Sequence, residues 1–84
     1  MPYEVYTEWS ANVISWSFRY SITQEEIADR SKISISYLSR LLHMQKPYLG
    51  SCKKVDNSMK DALEARGFDS QKYLRQQRKL RSRF

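Results

Sequence analysis

Cysteine and histidine are almost absent from this sequence of 84 residues, which contains one of each, Cys52 and His43. A lone cysteine forms no disulfide within the chain, so a fold held by cross-links is excluded and a reducing, cytoplasmic compartment is expected. Because no second pair of ligands lies at metal spacing, no zinc site is expected either. We expect Cys52 to be a structural thiol in a loop and His43 to be a helix-end cation or a phosphate contact.

Long apolar runs and catalytic motifs are missing as well. No stretch approaches the ~20 apolar residues that span a bilayer, and the acidic, aromatic N-terminus does not resemble a signal peptide. The sequence contains no nucleophile elbow, phosphate loop, carboxylate pair or Ser/His/Asp arrangement, and its length leaves little room for a substrate pocket. We therefore expect a protein that has no membrane segment, needs no cofactor and is not an enzyme.

Acidic residues are scarce near the C-terminus, which makes the net charge of +6 uneven. Residues 1–68 contain nine Lys/Arg against eight Asp/Glu, whereas residues 69–84 contain six against one. Such a basic block favours a polyanion, usually nucleic acid, through the release of condensed counterions, although a solvated tail that only aids solubility is an equally open alternative. Because a chain this short cannot divide its core, we predict one domain over residues 1–68 with a basic C-terminal helix or tail over residues 69–84.

Apolar residues at helical spacing predict an all-α fold of four to five short helices. Thr23 and Ser34 can cap two of these helices through their hydroxyls, with Glu26 completing a capping box after Thr23. Gly67 can end another helix in a left-handed conformation. The predicted helices run from about Val5 to Tyr20, from Thr23 to a break at residues 31–33, from Ile35 to Leu42, from Asp56 or Asn57 to Gly67, and from Asp69 or Ser70 toward Phe84.

Glycine and proline occur only twice each, and two of these four residues mark a predicted loop. Pro47 and Gly50 lie in the stretch from Gln45 to Val55, where the residue before proline is driven away from helical geometry. We expect the helices on either side of this loop to share a single core. The predicted core residues are Val5, Trp9, Val13, Trp16, Ile27, Ala28, Leu38, Leu41, Met59 and Leu63.

The stretch TQEEIADRSKISISYLSRLL, residues 23–42, is similar to the helix-turn-helix of the Cro/CI-type phage repressor family. It has the family's Thr-Gln start, a buried Ile27-Ala28 pair, a turn, and aliphatic residues of a second helix that face back. Two short helices that cross at about 90–120° need a small residue at their contact, which Ala28 provides. Lys32 stands where the family usually has glycine. We therefore expect either a left-handed residue there, at a cost of about 1–2 kcal/mol, or a turn of different shape.

The polar face of the second helix of this motif is the predicted reading surface, because its other face is needed for packing. The resemblance implies that four residues of this face contact base edges in the major groove. An arginine on this face can donate two hydrogen bonds to guanine, an isoleucine can contact a thymine methyl, and serines bond either base type weakly. The predicted base-reading residues are Ile35, Ser36, Ser39 and Arg40.

Phosphate contacts are expected on both sides of the reading surface. The resemblance implies a phosphate clamp at the start of the first helix of the motif, a role that falls to Gln24. Because the reading helix is poor in Gln, Asn and Arg at its leading end, backbone contacts and DNA shape could carry part of the specificity. The further predicted phosphate contacts are Tyr37, Lys46, Lys72, Arg75, Arg78 and Lys79.

These features predict a sequence-specific transcription regulator of phage or mobile-element type that binds double-stranded DNA. A single helix-turn-helix covers ~4–6 base pairs, so a homodimer on two half-sites is expected. Two other functions remain open. One is a protein-binding module that inhibits or adapts a host protein on the same scaffold, and the other is an architectural or recombination accessory factor that bends DNA.

The basic C-terminal segment also allows more than one interpretation. We favour an arm that contacts the DNA backbone. Alternatively, Tyr73, Leu80 and Phe84 pack on a partner subunit and leave the arginines exposed, or the segment is an arginine-rich helix that binds RNA.

Overall fold

The computed structural model of this chain describes residues 6–83, in which five α-helices and no strand form the regular structure. The predicted all-α fold is therefore confirmed. Within the described range, no helix has both the length and the apolar character needed to cross a membrane. Val5 and Phe84, which were predicted to lie in the core and in the last helix, fall outside that range. The helices are α1 (Glu8–Arg19), α2 (Gln24–Ser31), α3 (Ile35–His43), α4 (Leu49–Ala65) and α5 (Gln71–Arg81).

Side-chain hydroxyls fix where the first three helices begin. Thr23 accepts from the Glu26 amide at 3.1 Å and Ser34 accepts from the Tyr37 amide at 3.0 Å, so both predicted N-caps are confirmed. Thr7 caps α1 in the same way, with an extended backbone of φ −72° and ψ 164°. The prediction that α1 begins near Val5 is therefore wrong, because the helix starts only after this capping residue.

The predicted loop from Gln45 to Val55 is wrong over most of its length, because α4 already begins at Leu49. Gly50 lies in the first turn, where a helix has unpaired amides in any case and a poor helix former costs little. Cys52 and Val55 are buried, and that burial outweighs the local turn signals. Cys52 is thus a buried residue of a helix, and burial raises the pKa of its thiol to about 12, as expected of an unreactive structural cysteine.

One core joins all five helices, and α4 lies at its centre against α1, α2 and α5. The nine predicted core residues in the described range are all buried. Tyr73 of α5 is also fully buried in this core, so the idea that Tyr73 packs on a partner subunit is wrong. Leu80 packs partly buried against the same core. The basic C-terminal segment is therefore a docked helix over Gln71–Arg81.

A buried carboxylate in the middle of α4 joins three helices. Asp56, which the sequence pattern suggested as a cap, is 1% exposed. It accepts hydrogen bonds from Trp9 Nε1 of α1 at 3.0 Å, from the Tyr73 hydroxyl at 2.8 Å and from the Gln77 amide at 2.9 Å. Arg81 of α5 forms an ion pair with the same carboxylate. Burial raises the pKa of Asp56, while hydrogen bonds from Gln77, Trp9 and Tyr73 and the charge of Arg81 oppose the shift.

We expect Asp56→Ala to lower the free energy of unfolding by about 3–5 kcal/mol, because it removes the ionic partner of the part-buried Arg81 and an acceptor shared by three buried donors. Denaturant unfolding at neutral pH measures this loss. The control is Asp61→Ala, which removes an exposed carboxylate from the same helix and should change stability by less than about 0.5 kcal/mol. Equal effects of the two substitutions would contradict the role given to Asp56.

An ion pair links α2 to the end of α4. Glu26 does not turn back to its own N-cap as the predicted capping box requires. Its carboxylate instead accepts from Arg66 at 2.7 and 2.9 Å and from Arg30 at 3.1 Å. The hydrogen bonds from Arg66 lower the pKa of Glu26 from 4.5 to about 2, against an opposing effect of burial.

This ion pair predicts a defined pH dependence of stability. Because the folded-state pKa of Glu26 lies below its ordinary value, its contribution is complete above pH 4.5 and is lost as the pH falls to about 2. Partial solvent exposure of the pair limits the contribution to about 1 kcal/mol. Glu26→Gln should therefore be less stable than the parent at pH 6 and nearly equal to it at pH 2, as measured by chemical unfolding. Glu25→Gln, at the exposed neighbouring position, should show no such difference.

Candidate nucleic-acid interface

The turn between α2 and α3 fixes the angle of the predicted reading helix. Lys32 lies in the left-handed region with φ 60° and ψ 40°, as expected for a residue at the usual glycine position. Its amide donates to Asp29 O at 3.2 Å, and the Ile33 amide donates to Ala28 O at 3.0 Å. These two bonds close the end of α2 before Ser34 caps α3. Two short helices joined by a tight turn, α2 and α3, therefore occupy this part of the chain.

Helix α3 packs with one face and leaves the other in solvent. Leu38, Leu41 and Leu42 are fully buried in the core. Of the predicted base-reading residues, Ser36 and Arg40 are exposed, and Ile35 is 48% exposed although it is a large apolar residue. Ser39 is half-buried at the edge of this face. The surface formed by Ile35, Ser36, Ser39 and Arg40 is hereafter the α3 face.

The predicted phosphate contacts beside α3 differ in how free their side chains are. Gln24 is exposed at the first position of α2, and Lys46 is exposed in the connection from α3 to α4. Tyr37 is half-buried, and its hydroxyl lies 2.8 Å from the Ser51 hydroxyl. This bond ties α3 to the first turn of α4. A tyrosine hydroxyl can both donate and accept, so Tyr37 keeps capacity for a further contact.

The four predicted phosphate contacts of α5, namely Lys72, Arg75, Arg78 and Lys79, are all exposed. The direction of α5 distributes them over the molecule. Phe68, just before α5, packs on Tyr20 at the end of α1 with ring centroids 4.6 Å apart, whereas Arg83 pairs with Glu8 at the start of α1. Helix α5 therefore runs antiparallel to α1.

The C-terminal end of α5 lies beside the α3–α4 connection. A cleft of about 350 Å³ is lined there by Gln45 and Lys46 together with Leu80 and Arg83. The last turn of α5 is thus near the connection that follows α3. Lys72 and Arg75 lie in the opposite half of the helix, nearer the turn at Phe68.

An acidic cleft adjoins the α3 face at the start of α3, where Ile35 belongs to both. It has a volume of about 650 Å³, and Glu25 and Asp29 of α2 line it together with Ile33 and Ile35. Both carboxylates are exposed. These carboxylates would repel the phosphates of a nucleic acid, whereas they would attract a cationic group. This cleft was not predicted from the sequence, although three of the five positions after Gln24 are acidic.

The ring nitrogens of His43 contact protein groups. Nδ1 lies 2.6 Å from Ser39 O and therefore carries the proton, and Nε2 lies 2.9 Å from the Tyr6 hydroxyl. The two rings lie 4.8 Å apart. His43 thus joins the end of α3 to the segment before α1. In the part of the chain that the structure describes, no group of three or more His, Cys, Asp or Glu residues could hold a metal ion.

Sequence reasoning missed one basic cleft because it predicted a loop where α4 begins. The cleft has a volume of about 210 Å³ and lies between α4 and α5. The apolar spacing of Cys52, Val55 and Met59 is helical, and it would have extended α4 toward its true start. The residues that line the cleft are Lys53, Asp56, Asn57, Leu74, Arg78 and Arg81.

No protein-family model matches this chain, and no match is found among curated proteins or solved structures. The interface is therefore characterised by its own geometry. Two short capped helices, a left-handed turn residue and a solvent-facing side of α3 are its defining features.

The left-handed turn makes a prediction about stability. Lys32→Gly should raise the free energy of unfolding by about 0.5–1 kcal/mol, because glycine adopts a positive φ without the steric penalty of a Cβ. Thermal or chemical unfolding measures the gain. Lys54→Gly is the matched control, since it makes the same change at an exposed site within α4 and should lose about 1 kcal/mol. A loss at both positions would show that the turn does not favour glycine.

Proposed function

We propose that this chain is a sequence-specific DNA-binding transcription regulator that inserts α3 into the major groove. The observation that carries the proposal is the division of α3 into two sides. Its three leucines are buried, while Ile35, Ser36 and Arg40 face solvent. A helix that packs with one side and ends in short connections can enter a groove about 12 Å wide without disturbing the core.

The arrangement of α2 and α3 supports a helix-turn-helix of the Cro/CI type. Both helices are short, at 8 and 9 residues, and each starts at a hydroxyl N-cap. The left-handed Lys32 joins them in a tight turn. Because these features fix the position of α3 relative to α2, α3 is presented as a rigid element, which is what base readout requires.

Each residue of the α3 face has a definite role in this proposal. Arg40 donates two hydrogen bonds to O6 and N7 of a guanine, which is the contact with the highest discrimination available on this face. Ile35 contacts a thymine methyl. Ser36 and Ser39 make weaker bonds to either base type, and Ser39 has less freedom because it is half-buried.

Phosphate contacts hold the α3 face in register on the duplex. We assign them to Gln24 at the start of α2, to Tyr37 and Lys46 beside α3, and to the exposed cations of α5, namely Lys72, Arg75, Arg78 and Lys79. The carboxylates of Glu25 and Asp29 oppose binding on one side of α3. Affinity is therefore expected to come mainly from basic side chains outside the α3 face, and to be steeply salt dependent.

We further propose that the protein acts as a homodimer of phage or mobile-element type. The α3 face covers too few base pairs to define a unique site, and two copies on half-sites about one helical turn apart double its length. The mass in solution and the stoichiometry on a duplex with two half-sites test this part. A monomer that binds a single half-site would contradict it.

Selection of bound sequences from a random duplex library tests the proposal directly. A short preferred site is expected for the parent protein. Arg40→Ala should lose about 1–3 kcal/mol of discrimination at one base position, because its bidentate contact is removed. Fluorescence anisotropy on duplexes that differ at one base pair measures this loss.

Arg75→Ala is the matched control for Arg40→Ala, since it removes the same charge from an exposed site on α5. It should weaken binding to all sequences alike. Two outcomes would count against the proposal: the absence of any preferred site, or equal loss on all duplexes in both variants.

The acidic cleft favours a protein-binding module as the second candidate function. Glu25 and Asp29 lie beside the partly exposed Ile33 and Ile35, a combination that suits a basic and apolar peptide segment better than a phosphate backbone. In this case the duplex library would return only weak, sequence-blind association that Arg40→Ala does not alter. An architectural or recombination accessory factor would instead bind and bend DNA with little sequence preference.

A further inference from the structure

We propose that the cleft between α4 and α5 binds one phosphodiester group of the DNA backbone, held mainly by Lys53 and Arg78. The ligand in this inference depends on the proposed function, because the phosphate belongs to the duplex that α3 reads. The site itself is built from residues that the helix-turn-helix does not use. Lys53 and Asn57 come from α4, and Arg78 comes from α5.

Helical spacing explains why these side chains meet. Lys53 and Asn57 are four residues apart on α4, and Leu74 and Arg78 are four residues apart on α5, so each pair lies on one helix face. The two faces line the same cleft of about 210 Å³, which is large enough for one phosphate group. Leu74 forms an apolar wall of the cleft, and the carboxamide of Asn57 can donate a hydrogen bond.

The charge of the cleft favours an anion. Three cations line it against one carboxylate, Asp56, which is 1% exposed. That carboxylate already accepts from Trp9, Tyr73, Gln77 and Arg81, so it presents little negative charge to the opening.

In the part of the chain that the structure describes, two of the three cations at the cleft are without an ionic partner, and the third, Arg81, pairs with Asp56 but keeps unused donors. Within residues 6–83, Lys53 and Arg78 form no ion pair. Arg81 donates from one terminal nitrogen to Asp56, and a guanidinium has five N–H donors, so others remain for a ligand. Ammonium and guanidinium groups around a small opening are the usual ligands of a phosphate.

The position of the cleft points to the DNA backbone as the source of the phosphate. Ser51, in the first turn of α4, lies 2.8 Å from the Tyr37 hydroxyl of α3. Lys53 follows two residues later, about 3 Å further along the axis of α4 but about 200° around it, so it lies on another side of the helix from Ser51. The C-terminal end of α5 lies beside Lys46 in the α3–α4 connection. The cleft therefore lies at the ends of α4 and α5 that adjoin the α3–α4 connection, and the duplex of the proposed function supplies the phosphate there.

The cations of α5 fall into two groups by position. Arg78 lines the cleft opposite Lys53, whereas Lys72 and Arg75 lie in the first half of α5, away from the α3–α4 connection. A built site and a diffuse basic arm then predict different results. In a built site, Lys53 and Arg78 share one phosphate, so that removing both costs one contact, whereas Lys72 and Arg75 each contact a phosphate of their own.

The test is the slope of log K against log salt concentration for binding to a duplex. This slope is negative, and each lost phosphate contact reduces its magnitude by about 0.9. Lys53→Ala with Arg78→Ala should lower the magnitude of the slope by about 0.9, because both cations hold the same phosphate. Lys72→Ala with Arg75→Ala removes the same charge but two separate phosphate contacts, and should lower the magnitude by about 1.8. Equal reductions in the two double variants, or no reduction in the first, would overturn the cleft.

Two further measurements keep the test decisive. Lys53→Arg with Arg78→Lys keeps both charges and should retain the parent slope, and a loss in this variant would overturn the proposal. Thermal melts of all variants should match the parent, because the substituted residues are exposed. A different outcome is that Lys53→Ala with Arg78→Ala leaves the duplex slope unchanged, while inorganic phosphate shifts the NMR signals of Lys53, Asn57 and Arg78 in a saturable way. The cleft would then bind free phosphate, and the assignment to the DNA backbone would be overturned.

The slope requires duplex binding but no sequence preference, so the two proposals can fail separately. A parent protein without a preferred site, whose slope nevertheless responds to Lys53 and Arg78 as expected, would overturn the role of α3 alone. A parent protein with a preferred site and equal slopes in both double variants would overturn the cleft alone. Absence of duplex binding would overturn both.

Discussion

The buried carboxylate of Asp56 is the interaction on which the rest of this fold depends. It lies in the middle of α4 and accepts from Trp9 of α1 and from Tyr73, Gln77 and Arg81 of α5. An unpaired carboxylate in this position would be strongly unfavourable, and donors from two other helices satisfy it. The same bonds hold a strongly basic helix against the body of the protein. The arginines and lysines of α5 therefore project from a fixed surface, which gives the α4–α5 cleft its shape.

Electrostatic character is divided over the surface. The α3 face carries one arginine and is bordered on one side by Glu25 and Asp29, whereas positive charge is concentrated on α5 and the adjoining turns of α4. A protein built in this way would obtain affinity from the phosphate backbone and discrimination from few base contacts. Because the two kinds of contact come from different helices, changes in one should leave the other largely intact. The division also explains why sequence preference and salt dependence are separate properties of the proposed complex.

Side-chain contacts of α4 link the α3 face to the α4–α5 cleft. Tyr37 of α3 and Ser51 of α4 share a hydrogen bond, and Glu26 of α2 pairs with Arg66 at the end of α4. Helix α4 thus contacts both α2 and α3 and also forms one wall of the basic cleft. A phosphate held between α4 and α5 would for this reason set the orientation of α3 in the groove.

The sequence by itself determined the local features of this protein. Thr23 and Ser34 cap α2 and α3, Lys32 takes the left-handed turn, and Leu38 with Leu41 marks the buried side of α3, because caps, turns and helix periodicity depend on neighbours within a few residues. Only the tertiary structure decided where α4 begins and what Asp56 does. Local signals at Pro47 and Gly50 favoured a loop over the first turns of α4. Asp56 precedes an apolar pattern and therefore resembled a helix cap. The burial of Cys52 and Val55, and donors that are distant in sequence, outweighed both, since their energies exist only once the helices have packed.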